Sequence, residues 1–178
     1  FYMEHNWLLG LFDDEVRREI FTAQPFILAP GTVNPSGEAT PRDGGFELSG
    51  HWQYGTGVVH ADWVILSGMV PGEEAPMSRM FLVPIGDVEV KDTWHVDGLR
   101  GTGSGDVVVD GLFVEDAWTG VIRSPLETVP VTTLYRLPST LRFPIPKTAV
   151  AAGIARGAIG DLMELAGTKT PVTSRTQL

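Results

Sequence analysis

The chain contains no cysteine, which excludes disulfides, thiolate metal sites and a cysteine nucleophile, and fits a cytoplasmic protein. Histidine is scarce as well. His5, His51, His60 and His95 are the four imidazoles, and no two stand at the spacing of a metal-binding pair with a carboxylate on a helix, so no metal site is expected. Positive charge is thin: 13 Lys and Arg stand against 22 Asp and Glu, for a net charge of −9, and the basic residues do not cluster. The electrostatic footprint of a nucleic-acid-binding protein is therefore missing. No apolar run approaches the ~18 residues of a membrane span, and no signal peptide is visible. An initiating methionine is lacking too. The chain opens on FYMEHNWLLGLF, already apolar and patterned, which predicts a piece of a longer polypeptide.

What is present is turn-forming residues and short apolar runs. Glycine (21) and proline (13) are plentiful in 178 residues, short of the level that signals disorder. From Pro25 to about Ile122 the segments FILAP, FELSGHWQY, DWVILSGMV, RMFLVPI, VEVKDTW and GDVVVDGLFV are rich in Val, Ile, Phe and Trp. They are bounded by PSG, RDGG, PGEE, IGD and GTGSGD, which read as turns. The expected class is mainly β, a sandwich or barrel. Two helical segments flank it. Before it, HNWLLGLFDDEVRREI breaks midway, with Asp13 as N-cap and Val16 and Ile20 four residues apart on one face. After it, KTAVAAGIARGAIGDLMELAGTK is apolar around most of its circumference, as in a helix buried in a bundle. Ala152, Gly153, Gly157 and Gly160 would let a second helix approach closely. The predicted organisation is an N-terminal helical end over residues 1–24, a β-domain over 25–122, a Pro-punctuated linker over 123–145 and a helical start over 146–178.

GHWQYGTGVVHADWVIL, residues 50–66, concentrates large rings beside a Gly-Thr-Gly step. Trp52 and Tyr54 differ by two, so on a strand they share a face. Such rings suit either an aromatic cross-strand cluster or the wall of a pocket for a flat polycycle. GLRGTGSGD, residues 98–106, is glycine-rich, but strand residues follow it and it lacks the lysine and helix of a phosphate-binding loop, so that role is rejected.

The order helix, β-domain, small-residue helix is similar to that of the acyl-CoA dehydrogenase superfamily. GGFELSGHWQYGTG resembles its G-Y-x-L-x-G-x-K-x-W-I-T-N segment, and DTWHVDGLRGTGSGDVVVDGLFV its G-x-R-G-S-x-T-x-x-V-x-F-x-x-V-x-V-P segment. Trp-x-Tyr-x-Thr-Gly from Trp52 to Gly57, followed by His60, Ala61, Asp62 and Trp63, is closer to the two-component flavin-dependent monooxygenases on the same fold. HNWLLGLFDDEVRREIF and PSGEA also look like that branch. The resemblance implies a middle β-domain between helical domains, a homotetramer, and reduced FMN or FAD delivered by a separate flavin reductase. It implies hydroxylation of a small aromatic substrate with O2. Thr56, with Gly57 beside it in the flavin-binding set, would contact flavin near N5, where retaining the hydrogen keeps reduced flavin from being lost to hydrogen peroxide. Tyr54 would lie against the ring, with Trp52 either beside it or in the core. Thr32 and Asn34 in the APGTVNPSG loop would face the pyrimidine edge, and Arg100 and Ser104 a flavin phosphate. His5 is a candidate base for a phenol, with capping or surface exposure as its alternative. Trp63, Trp94 and Trp118 are expected in packing. Two other readings stay open: an acyl-CoA dehydrogenase oxidising a thioester with FAD, and a β-sandwich binding module without redox chemistry.

Overall fold

The computed structural model describes residues 5–23, 25–72, 78–121, 141 and 144–169. It divides the chain into two compact units, Phe1–Tyr135 and Arg136–Leu178. In the first, the predicted break between helical turns is present: a 3-10 turn over Trp7–Leu11 precedes helix α1, Asp14–Ala23. The Asp13 carbonyl accepts the Arg17 backbone N–H at 3.1 Å, so Asp13 caps the helix start. Arg17 turns back to donate to the Phe12 carbonyl at 2.8 Å and the Gly10 carbonyl at 3.2 Å and pairs with Asp14. That clasp fixes the angle between turn and helix. Val16 and Ile20 are buried, as their spacing predicts.

Among the described residues seven strands follow: β1 Gly37–Arg42, β2 Gly45–Trp52, β3 Trp63–Met69, β4 Arg79–Pro84, β5 Glu89–Lys91, β6 Asp106–Glu115 and β7 Thr119–Val121. They form one mixed sheet in the order β5-β6-β2-β1-β3-β4-β7. All pairings are antiparallel except β1 with β3. The expected sandwich or barrel thus resolves into a single sheet folded over its own core. Phe46 on β2 and Phe81 on β4 have ring centroids 5.7 Å apart, edge to face, although β1 and β3 lie between them in the hydrogen-bonded order. Strands are spaced ~4.8 Å apart, so a flat sheet would hold those rings well over ~10 Å from each other. Inside the fold sit Ala39, Leu48, Trp52, Val58, Leu66, Val83 and Val107, all nearly inaccessible. Trp63 and Trp118 stack at 4.9 Å and 9° between planes, which bears out packing as their role.

Two strand expectations need correction. FILAP is not a strand; near it the structure has only an isolated bridge between Gly31 and Ile65. Conversely, the GEATPR stretch following the PSG turn is strand β1. Pro41 is tolerated there because β3 accompanies β1 only at Gly37 and Glu38, so no neighbour asks Pro41 for the N–H it lacks.

In the second unit, helix α2 runs from Pro144 to Thr168, where the sequence predicts a helix. Val150, Ile154, Ile159, Leu162 and Met163 are exposed, and a Cβ added at Gly153, Gly157 or Gly160 would meet nothing. Among the described residues no helix is long and apolar enough to cross a membrane.

Candidate functional site

Strand β2 ends at Trp52, and the chain changes direction at once. Tyr54 has φ 62°, in the left-handed region, so the alternation that would put Trp52 and Tyr54 on one face is broken. Trp52 goes inward: it is 1% exposed, and its indole N–H donates to the Ser67 carbonyl at 2.8 Å. Its ring runs beneath Gly37 and Gly50, where an added Cβ would stand 2.2 Å and 2.7 Å from its atoms. Only glycine lets two strands pass that close. Tyr54 goes outward, 67% exposed, with an edge-to-face contact to Trp94 at 6.2 Å.

Between these two residues opens a cleft of about 390 Å³, lined by Thr32, Asn34, Ser36, His51, Trp52, Gln53 and Tyr54. It brings together Thr32, Asn34, Trp52 and Tyr54 from segments about twenty residues apart. The organiser is Ser67, which the sequence reading missed. Its hydroxyl lies 2.7 Å from both the Thr32 and the Asn34 carbonyls, and its own carbonyl receives Trp52. A further bond runs from the Thr32 N–H to the Ile65 carbonyl at 2.9 Å. The loop is thereby fastened to β3. A buried serine within an apolar strand is the signal that could have found it, since such a hydroxyl needs a partner.

Thr56 belongs to a second feature beside it. The turn after β2 and the glycine-rich loop before β6 are joined by backbone bonds: Gly55 N–H to the Gly105 carbonyl at 2.9 Å and Gly57 N–H to the Thr102 carbonyl at 2.7 Å. Gly103, at φ 51°, lies so close to Val59 that an added Cβ would be 2.3 Å from it. Three hydroxyls line up across this junction. Thr102 and Ser104 are 2.8 Å apart, and Ser104, itself buried, donates to Thr56 Oγ1 at 3.1 Å. With that bond received, the Thr56 hydroxyl keeps one lone pair to accept with and its own hydrogen to donate.

Arg100 and His5 are placed elsewhere. Arg100 is exposed, its Nε donating to the Val96 carbonyl at 2.6 Å, and neither it nor His5 lines the cleft. His5 is buried rather than exposed, packed against Gly31, where a Cβ would be 3.0 Å from its ring. Among the described residues no cluster suits a metal ion. A larger hollow of about 720 Å³ lies between the 3-10 turn, α1 and β7, lined mostly by charges and backbone, with Phe12 as the ring among them.

One hydrogen-bonded imidazole–carboxylate pair adjoins the cleft. His51 Nε2 is 2.7 Å from Asp106 Oδ2, the histidine side chain half exposed and the aspartate buried. Burial by itself would raise the Asp106 carboxyl. Hydrogen bonds from His51, Thr93 and the Tyr54 backbone N–H, with the charge on His51, instead hold it below the ordinary value of 3.8. The Asp106 backbone N–H is in turn bonded to Thr93 Oγ1 at 3.1 Å.

No family model matches the chain. It is 36% identical over 165 residues to a pigment production hydroxylase of a Rhodococcus species, covering 89% of this chain and 43% of that protein. It is 30% identical over 174 residues to the oxygenase component of an FADH2-dependent resorcinol hydroxylase of a Rhizobium species, covering 92% of this chain and 42% of that protein. Among solved structures, XiaF from a Streptomyces species, in complex with FADH2 and glycerol, superposes with a TM-score of 0.83 at 29% identity. That match covers 98% of this chain and 46% of XiaF. The chain thus spans less than half the length of the relatives it matches.

Proposed function

We propose that this chain is part of the oxygenase component of a two-component flavin-dependent monooxygenase. The protein takes reduced flavin from a separate reductase and uses O2 to hydroxylate a small aromatic substrate. The observation that carries this reading is the meeting of Thr32, Asn34, Trp52 and Tyr54 around one cleft, in a chain similar along most of its length to named oxygenase components. The domain assignment follows, with residues 25–122 as the middle β-domain between helical domains of a cytoplasmic homotetramer. Of FMN and FAD, the relatives' names favour FAD.

The residues present suit a flavin. Tyr54 supplies an exposed ring face, and aromatic pairs contribute about 0.5–1.5 kcal/mol beyond burial. Thr56 has a free acceptor and a free donor for a ring N–H and a carbonyl. The loop from Thr32 to Asn34 is held in place by Ser67 rather than left to fold around the ligand. Bound reduced flavin supplies the electrons with which O2 is split, one oxygen entering the substrate and the other leaving as water. The chain's own work is to bind the ring, orient it, and keep water from the N5–H that Thr56 would hold.

The test is an anaerobic titration of the full-length protein with reduced FAD and reduced FMN, followed by air and resorcinol. Binding, then oxygen uptake coupled to a hydroxylated product, is expected. Free flavin oxidising at its unbound rate would refute the reading, and oxidation of an acyl thioester instead would assign the dehydrogenase alternative.

A further inference from the structure

The cleft has a charge problem. Reduced flavin is anionic around N1 and C2=O, and an ionised phenol is anionic too, yet the chain carries a net charge of −9. Among the described residues, none of the seven that line the cleft is lysine or arginine, and of these His51 is the one that can carry positive charge. His51 is also the one lining side chain held by a buried carboxylate, through Nε2 at 2.7 Å from Asp106. A bond to a carboxylate requires the hydrogen on Nε2, which leaves Nδ1 for other partners. When the ring is protonated, Nδ1 carries a hydrogen as well.

We propose that His51 is a ligand-contacting residue of this cleft, offering Nδ1–H as a charged hydrogen-bond donor to an anionic oxygen of the bound molecule, with Asp106 as its positioning residue. The identity of that molecule rests on the monooxygenase reading: the oxygen belongs to the pyrimidine end of reduced flavin or to a phenolate substrate. Asp106 suits its role because it joins three parts of the rim. It takes His51 on β2, the left-handed Tyr54 backbone beyond β2, and Thr93 beyond β5. The charged and titratable groups around His51 on neighbouring elements are Asp106 on β6, the exposed Glu89–Lys91 pair on β5, Asp92 just beyond it, and Tyr54 in the cleft. Lys91 stands opposite Asp106 in the sheet register, but its ammonium pairs with Glu89 at 3.8 Å. Nothing else in the lining substitutes for the imidazole.

The experiment uses the full-length protein and two probes: reduced FAD titrated anaerobically, then resorcinol titrated into the flavin-loaded protein. His51→Gln keeps a polar side chain on a half-exposed site and is expected to fold. It should weaken one of the two titrations by about tenfold, the loss of one charge-assisted bond. Loss in the flavin arm assigns the oxygen to the cofactor, and loss in the resorcinol arm assigns it to the substrate. Asp106→Asn, which keeps the shape but not the charge, should weaken that same titration, and Asp106→Glu, which restores the carboxylate, should recover part of it. A merely structural pair would weaken both titrations together. Wild-type binding of reduced FAD with both titrations in His51→Gln within twofold of wild type overturns the proposal and leaves the monooxygenase reading standing. A wild type that binds no reduced flavin sinks both.

Discussion

Trp52 and Tyr54 are two residues apart, both aromatic, and they belong to opposite regions of the molecule. The region around Trp52 is interior: the ring is enclosed beneath Gly37 and Gly50, and its one polar atom is satisfied by Ser67. The region around Tyr54 is rim: the side chain is mostly exposed, the backbone is left-handed, and its neighbours Thr56, Ser104 and Asp106 are polar. The cleft exists because the strand stops between them. Stability and recognition are thus divided across two residues of sequence, so substitutions on either side should report on separate properties.

The largest expected effect is on the interior side. Trp52→Ala removes a fully buried ring and should cost ~3–5 kcal/mol, read as the shift in a denaturant unfolding midpoint. Gly37→Ala tests the same region from the other direction. Its Cβ would meet the Trp52 ring at 2.2 Å, and such overpacking costs ~1–3 kcal/mol; pairing it with Trp52→Phe should recover part of the loss. At the boundary, Asp106 gives a pH signature. Its folded-state pKa is lowered, so its contribution to stability is complete above the usual value of 3.8 and is lost as pH falls below that value. Asp106→Asn should flatten the acid limb of a stability-against-pH curve. The smallest stability effect is expected on the rim. Tyr54→Gly relieves a left-handed residue by about 1 kcal/mol while giving up the contact with Trp94, worth a similar amount. The unfolding midpoint should barely move, while affinity for reduced flavin in the full-length protein should drop. A large loss of stability there would erase the contrast.

Much of this was legible in residue order, and the failures have physical causes. The RDGG turn was readable because Asp-Gly relieves backbone strain where strands reverse, and Gly44 adopts φ 76° there. Helix α1 was readable from its cap and from the four-residue spacing of Val16 and Ile20. Strand β1 was not, because GEATPR carries Gly, Glu and Pro and no large apolar residue; its membership in the sheet comes from its neighbours. FILAP misled in the opposite sense, being apolar enough for a strand but only bridged to one. The pairing of rings at positions 52 and 54 assumed that the strand continued, and one left-handed residue undid it. His51 and Asp106 are 55 residues apart in sequence, and only the β2–β6 register brings them together.

The placement of Ser67 has a thermodynamic consequence. Its carbonyl receives the innermost indole while its hydroxyl shares one hydrogen between two carbonyls of the rim loop, so the recognition surface inherits the rigidity of the β3 backbone. A ligand arriving there has little chain entropy to quench, and its association should be correspondingly insensitive to loop ordering. Ser67→Ala would convert a preorganised receptor into one that must assemble around its guest, slowing capture more than it loosens the fold.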